Sequence, residues 1–505
     1  MRRRTPLALL LGSSVACSST VFVAGPTCGE GTEEVDGVCE AVGDGDGLGG
    51  ADGAAGSDGA DGAAGSDGAD GSDGSDGSDA PEDTGASDAT VDVYLLGGQS
   101  NMVGYGQTIS LPPSLRVAQP DVFIYWSYRP EWVGLQASSG LGTRFFGPEV
   151  TLGRALADAH PDRRVHLVKH AVGGTALGDF WYPGELPGDG RAGDGYRVWL
   201  ETVEAALAAL EADGLEPVVR GMVWMQGEAD ASRSDYAAAY ADNLTHLIAR
   251  VREDTGVSDL PFVAAQIDCR GGCDAHRDEV NAAIEAVAAA DPAVSTFTTE
   301  DLLRYPADVW HYQGPGVRSM GERFAARLLD TELPPLPQPA IVVSGSYTWS
   351  YSGSYTVGWR LTVSEDVVVT DLGQFDLGLD GLAHGTTVAI WEAESRSLVA
   401  QADLPALVTE SAPLIGHFVY AALEPVRLPA GEYILGVQSY ADWPDYYVYN
   451  AQITESAPVT WVEARHEWST TLAYPTQVVA GTTDASAWLG PNFLWVPAPD
   501  DADDR

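Results

Sequence analysis

"VDVYLLGGQSNM", Val91 to Met102, begins as an apolar run, drops to two glycines at Gly97 and Gly98, and then turns polar. Such a run reads as a buried strand that leaves its sheet through a tight exit, with Ser100 in the loop that follows. Taken alone, Ser100 is either a reactive nucleophile or a polar turn residue, and ordinary turns of this composition are the commoner case. The remainder of the chain decides between the two.

From Val91 onward, apolar strand-like runs alternate with helix-like segments in the order expected of an α/β parallel sheet covered on both faces. The strand candidates are "VDVYLLGG", "RVHLVKHAVGG", "VVRGMVWMQGE", "PFVAAQID" and "AVSTFTTEDL". The helical patterns are "GPEVTLGRALADAH", "RVWLETVEAALAALEADG", "DYAAAYADNLTHLIARVREDTG" and "DEVNAAIEAVAAADP", with "GERFAARLLDTEL" closing the domain. A domain of this kind, residues 91–335, places its ligand-contacting loops at the carboxyl ends of the strands, and Ser100 occupies such a loop.

After "ELPPLPQP" the pattern changes to short alternating stretches rich in Tyr, Trp, Thr and Val, so residues 340–497 are expected to form an all-β sandwich. Its aromatics Trp349, Tyr351, Trp443, Tyr446 and Tyr447 are either sugar-stacking platforms or core residues. Residues 498–505, ending in "DDADDR", form an acidic tail.

The 505-residue chain has a formal net charge of -46, which makes nucleic acid and anionic head groups unfavourable partners. It opens with three arginines, a short apolar run and small residues ending at Cys17, the layout of a bacterial export signal over residues 1–24. Lipoprotein processing at Cys17 and ordinary signal cleavage nearby are both compatible with that layout. The expected location is outside the cytoplasm, extracellular or on the outer membrane or cell surface, with contact to a membrane only through an acyl chain on Cys17. No later apolar stretch is long enough to span a bilayer.

Residues 25–42 hold Cys28 and Cys39, a plausible local disulfide pair, as are Cys269 and Cys273; Cys17 is then left over. "CRGGC" is alternatively half of a metal site, but no matching second pair accompanies it, so a loop disulfide is favoured. Residues 43–90 are a spacer in which glycine falls at every third position from Gly50 to Gly77. Proline is absent from that run, and aspartates in register on three chains would repel, so a flexible acidic linker is expected rather than a triple helix.

Three downstream segments bear on Ser100. "DVWH", Asp308 to His311, can place a carboxylate and an imidazole on one turn, so that Asp308 orients His311 and His311 takes the serine proton. "WMQGEAD", Trp224 to Asp230, ends a strand that opens onto the same face. "AVGGT", Ala171 to Thr175, has glycines that let a backbone N–H approach a reacting carbonyl closely.

With "GGQSNM", "VGGT", "QGEAD" and "DVWH" in this order, and "GPE" at Gly147 to Glu149 before a helix, the chain resembles the SGNH, or GDSL-like, hydrolase superfamily. Within it, the resemblance is to the sialate O-acetylesterase-like proteins and carbohydrate esterase family six, and it spans roughly Val91 to Glu332. It implies a flavodoxin-like αβα sandwich, with Ser100 as nucleophile, His311 as general base and acid, and Asp308 as the residue that orients His311. It also implies an oxyanion hole made by the backbone N–H groups of Ser100 and Gly174 and the side-chain amide of Gln226. Glu228, Gln99 and Asn101 are supporting candidates; Glu228 is equally readable as a structural carboxylate. No cofactor and no metal are expected, since serine esterase chemistry needs neither.

His166 and His170 share one side of a strand, but no clustered acidic ligands accompany them and a structural role is favoured. The segment from Ser110 to Gln136 reads as an inserted flap near Ser100, with Trp126 or Trp132 shaping the cleft. Phe180 to Trp199 reads as a long loop over the active-site edge.

The leading function is an exported serine esterase that removes O-acetyl groups from a carbohydrate through an acyl-enzyme. The alternatives are a surface-displayed glycan-binding or adhesion lipoprotein with an idle hydrolase domain, and a lipase or thioesterase using the same triad.

Overall fold

Eight consecutive buried residues, Val91 to Gly98, suit the centre of a sheet covered on both faces, and that is where they lie. In this computed structural model the described residues are 32–35, 38–41 and 89–499, less 139–141, 143, 186–190, 274, 307, 345–347, 351–352, 407–413, 440–446 and 484–485. The chain divides into a unit Met1–Glu82 and a unit Asp83–Arg505. In the first, Thr32–Val35 pairs antiparallel with Val38–Ala41. Cys17, Cys28, the export signal and residues 43–88 of the spacer lie outside the described residues.

The second unit opens with a seven-stranded sheet: β1 (Thr90–Gly98), β2 (Val122–Trp126), β3 (Arg129–Gly134), β4 (Val165–Ala171), β5 (Glu216–Met225), β6 (Phe262–Ala265) and β7 (Val294–Phe297). Their order is β7-β6-β5-β1-β4-β2-β3. The five strands legible in the sequence are all parallel, and β4-β1-β5-β6-β7 is the flavodoxin-like order. The direction of winding reverses at β1, which places a crevice at the carboxyl ends of β1 and β5.

The segment from Ser110 to Gln136 corrects the expectation of a flap. It supplies β2, which pairs parallel with β4, and β3, which returns antiparallel as the sheet edge. Pro130 has no N–H to donate and is tolerated because β3 is an edge strand. Trp126 is buried, and the Trp132 indole donates to Ala206 O at 3.1 Å, so neither ring shapes the cleft described below.

Five helices cover the sheet: α1 (Glu149–Ala159), α2 (Asp194–Ala212), α3 (Ser234–Thr255), α4 (Arg277–Ala290) and α5 (Gly314–Leu328). Helix α5 packs against α1, and α4 packs against α3. Helix α5 starts seven residues before the "GERFAARLLDTEL" pattern. Its early turns are glycine-rich for reasons of space: a Cβ on Gly316 would stand 2.2 Å from Leu303 O, and one on Gly321 2.2 Å from Pro148 O.

The C-terminal region is all-β and antiparallel. Strands β8 (Tyr355–Val363), β9 (Val367–Phe375), β10 (Thr386–Glu392), β11 (Leu398–Leu404), β12 (Phe418–Leu428), β13 (Gly431–Ser439), β14 (Val459–Trp468) and β15 (Pro491–Pro497) build two main sheets. One runs β11-β10-β13-β8-β14 and the other β15-β9-β12, each extended by short edge strands. Trp359, Leu361, Leu372, Phe375, Leu435 and Phe493 are buried in a common core. Of the aromatics read as sugar platforms, Tyr447 is buried at 5% exposure; the Trp349 side chain, Tyr351, Trp443 and Tyr446 lie outside the described residues.

The sandwich is seated on the helix that follows His311. Arg318 on α5 is buried in an ion pair with Asp371 on β9, Nη2 to Oδ2 at 2.7 Å, and donates to Ser110 O at 3.0 Å. Gln313 Nε2 donates to Leu414 O at 3.1 Å.

Candidate active site

Ser100 leaves β1 by a turn that only glycine permits at Gly98. That residue has φ 147°, and a Cβ on it would stand 2.1 Å from Met225 O on β5. The next N–H, of Gln99, donates to the same Met225 oxygen at 2.9 Å. Ser100 then opens a single helical turn, Ser100–Val103.

A cleft of about 610 Å³ opens at this point, lined by Gln99, Ser100, Tyr105, Gly173, Gly174, Glu228, Trp310 and His311 among others. The loop after β4 closes on the serine: a Cβ on Gly173 would stand 3.6 Å from Ser100 Cβ. Gly174 takes φ 70°. The backbone N–H groups of Ser100 and Gly174 have no acceptor among the described residues.

Asp308 and His311 meet as the spacing predicts. Asp308 Oδ2 lies 2.6 Å from His311 Nδ1, and Oδ1 accepts the N–H groups of Trp310 at 2.7 Å and His311 at 3.2 Å. Burial opposes ionisation of Asp308, but the bonds from His311 and Trp310 outweigh it and hold the carboxyl below its ordinary value. With Nδ1 facing the carboxylate, Nε2 is the nitrogen left for a substrate proton. Tyr105, which the sequence did not single out, stacks on the imidazole at 3.8 Å between centroids and 14° between planes.

Gln226 requires a correction. It is fully buried and does not line the cleft. Its Nε2 donates to Asp230 Oδ2 at 2.6 Å and Thr175 O at 3.0 Å, with Gln99 Oε1 at 3.3 Å, and its Oε1 accepts from Tyr240 at 3.1 Å. An amide committed to these partners is a brace between loops rather than a donor to a bound ester. Asp230 completes the brace by accepting the N–H groups of Leu177 at 2.8 Å and Gly178 at 3.1 Å, which ties the loop after β4 to the loop after β5.

Asn101 is likewise a connector. Its Nδ2 donates to Glu228 Oε1 at 2.6 Å and Trp310 O at 3.0 Å, joining the Ser100 turn to the His311 turn. Glu228 is buried with Oε2 unpartnered, and burial raises its carboxyl above the ordinary value. Gln99 lies in the cleft wall.

A second support is a residue that the sequence analysis did not single out, a lysine inside an apolar strand run, which requires a partner when buried. Lys169 on β4 pairs with Glu149 of "GPE" at 2.5 Å, both buried, and donates to Val103 O at 3.1 Å behind the Ser100 turn. His166 and His170 are buried and their pKa values are pushed down to about 4 by desolvation. His166 stacks on Phe123, and His170 Nδ1 lies 2.7 Å from Ser127 Oγ. Cys269 and Cys273 are joined in a disulfide, both buried.

Residues 90–330 match the family described as carbohydrate esterase, sialic acid-specific acetylesterase. The α/β domain resembles that family. It is thus an ester-hydrolysing domain, and the esterase domain is followed by the antiparallel sheets of the C-terminal region. Among solved structures, the chain is similar to a protein from Arabidopsis thaliana at 21% identity, over 47% of this chain and 98% of that one, with a TM-score of 0.40. A carbohydrate acetylesterase from Xanthomonas citri is 17% identical, covering 67% of this chain and 80% of its own, with a TM-score of 0.38. NanS is also 17% identical, covering 48% of this chain and 97% of its own, with a TM-score of 0.38. No protein of curated function matches the chain.

Proposed function

We propose that this protein is an exported serine esterase that removes O-acetyl groups from a carbohydrate through an acyl-enzyme. The observation that carries the reading is the meeting, in one cleft, of Ser100 at the end of the central strand and His311 held by Asp308. Ser100 Oγ attacks the acetyl carbonyl carbon while His311 Nε2 takes the hydroxyl proton. The tetrahedral oxyanion is met by the unclaimed N–H groups of Ser100 and Gly174. Collapse breaks the ester bond, and the sugar oxygen leaves with the proton from His311. Water then attacks the acetyl-serine, passes its proton to His311, and releases acetate as Ser100 is restored.

Export and a lipid anchor on Cys17 belong to the same reading, supported by the arginine-led apolar signal of residues 1–24. One acyl chain holds a protein only marginally on a membrane, so the acidic spacer would present the domain from a surface with further contacts.

Active-site labelling tests the proposal. Incubation with a fluorophosphonate, followed by mass spectrometry of the digested protein, is expected to find the adduct on Ser100. An unmodified Ser100 after exhaustive incubation favours the glycan-binding protein with an idle domain.

A further inference from the structure

In the C-terminal region the strand Tyr447–Glu455 pairs antiparallel with Ala487–Leu489, and the pairing carries a surplus residue: Val448 faces Leu489, but Ala451 faces Ala487. Tyr449 and Asn450 are thus set against Trp488 alone. Asn450 takes φ 56°, a left-handed conformation that asparagine tolerates better than most side chains. A bulge of this kind bends its strand and re-aims the side chains it carries. Here both bulge residues line a pocket of about 400 Å³, together with Tyr447 and Trp488.

The pocket is built from pieces tied to one another. Ser486 Oγ donates to Asn450 Oδ1 at 2.9 Å, which joins the bulge to the segment leading into Ala487–Leu489. Residues 479–482 also line the pocket and are anchored on β14, since the Val479 N–H donates to Ala464 O at 2.9 Å and Thr482 Oγ1 donates to Val479 O at 3.0 Å.

The lining combines two kinds of group. Tyr447, Tyr449 and Trp488 supply rings, Asn450, Thr482 and Ser486 supply an amide and hydroxyls, and none of the lining residues is charged in a chain whose net charge is -46. A sugar ring is the complement of such a surface. One face of C–H bonds carries the partial positive charge that suits the negative face of an aromatic ring, and the rim of hydroxyls exchanges hydrogen bonds with amides and hydroxyls. The volume is that of a small-ligand pocket.

The rings continue past the pocket. Tyr447 meets Trp488 at 5.0 Å between centroids and Tyr355 at 6.1 Å, and Tyr355 meets Trp468 at 4.1 Å. Tyr447 is buried, Tyr449 is 36% exposed and Trp468 62% exposed, so the series ends in an indole that offers its surface to solvent.

We infer that this pocket is a binding site for an uncharged sugar residue of a glycan chain, with Tyr449 and Trp488 as its ring contacts and Trp468 as a second contact farther along the chain. The site shares no residue with the cleft of Ser100 and does not depend on Ser100 being a nucleophile. The buried Arg318–Asp371 pair fixes the sandwich to the esterase domain, so a glycan held here stays at high effective concentration near that domain.

Native gels of the full chain, cast with arabinoxylan, galactomannan or mixed-linkage β-glucan free of acetyl esters, test it. At least one of these neutral polymers is expected to retard the parent, and polygalacturonate, whose charge finds no partner in the pocket, is not. Tyr449→Ala and Trp488→Ala are each expected to weaken the retarding interaction at least about tenfold, while hydrolysis of 4-nitrophenyl acetate stays at the parent rate. A parent that none of the neutral polymers retards overturns the inference, as does one that polygalacturonate retards as strongly. Retardation that survives either substitution unchanged places the binding elsewhere and overturns it too. Should the variants fail to fold, hydrogen–deuterium exchange of the parent with oligosaccharides of the retarding polymer decides. Protection is expected over residues 447–450 and 479–488, and protection confined to other segments overturns the inference. Hydrolysis of the acetate reads the esterase separately, so failure of either reading leaves the other standing.

Discussion

Asp308 divides its two oxygens: Oδ2 faces His311 Nδ1 at 2.6 Å, and Oδ1 receives the backbone N–H groups of Trp310 and His311 itself. The carboxylate is thus fixed by the same four-residue turn that carries the base. Asp308→Asn preserves the shape and the backbone bonds but turns an N–H toward Nδ1, so the imidazole is left in the wrong tautomer for accepting from Ser100. A loss of about 10⁴-fold in kcat is expected, with little change in melting temperature. Steady-state kinetics on a chromogenic acetate together with a thermal melt check both halves.

Glu228 sets a pH dependence of stability. Burial raises its carboxyl above the ordinary value of 4.5, so the folded chain keeps a proton that the unfolded chain releases. Its contribution is therefore fully present below that value and is lost as pH rises toward the folded one. Glu228→Gln retains the acceptor for Asn101 and has no charge to bury. Its melting temperature is expected to exceed the parent's at pH 7, with the advantage vanishing near pH 4; thermal unfolding across that range reads the difference.

The Arg318–Asp371 pair joins α5 to the sandwich in buried surroundings, with side-chain exposures of 6% and 1%. Arg318→Met leaves Asp371 buried and unpaired and is expected to cost about 3–5 kcal/mol. Adding Asp371→Leu removes the orphaned charge and is expected to recover most of that loss. Denaturant midpoints of the parent, single and double variants supply the comparison.

Gly98→Ala tests the strand exit. A methyl group at φ 147° stands against Met225 O, so the Ser100 turn must move or the pairing of β1 with β5 must open. Backbone strain of this type costs about 1–3 kcal/mol. A lower melting temperature and loss of turnover are expected together; a variant as stable and active as the parent would show that the exit is not constrained.

The parallel sheet was legible because its five strands are apolar runs that alternate with amphipathic helices. Strands β2 and β3 were not, because only Ser127 and Tyr128 separate them, with no helix between, and "RPEWVG" carries Arg129, Pro130 and Glu131, which resembles loop composition. Asp308 and His311 were legible because three residues of local spacing bring them together. Gln226 was misplaced for the opposite reason. Its partners Thr175 and Gln99 lie 51 and 127 residues away, and no spacing rule states which end of a buried amide they will claim. The same holds for Tyr105 on His311 and for Asn101 with Glu228. Lys169 was a readable signal, since a lysine within an apolar strand run implies a buried countercharge.

The central claim is that Ser100 carries acyl transfer from an acetylated carbohydrate. Its most direct test is acetate release from acetylated sialic acid, xylan and pectin by the parent protein and by Ser100→Ala, with both shown to be folded. Release by the parent from at least one of these substrates is expected, with a fall of at least about 10³-fold in the variant. Equal release by the two proteins would contradict it.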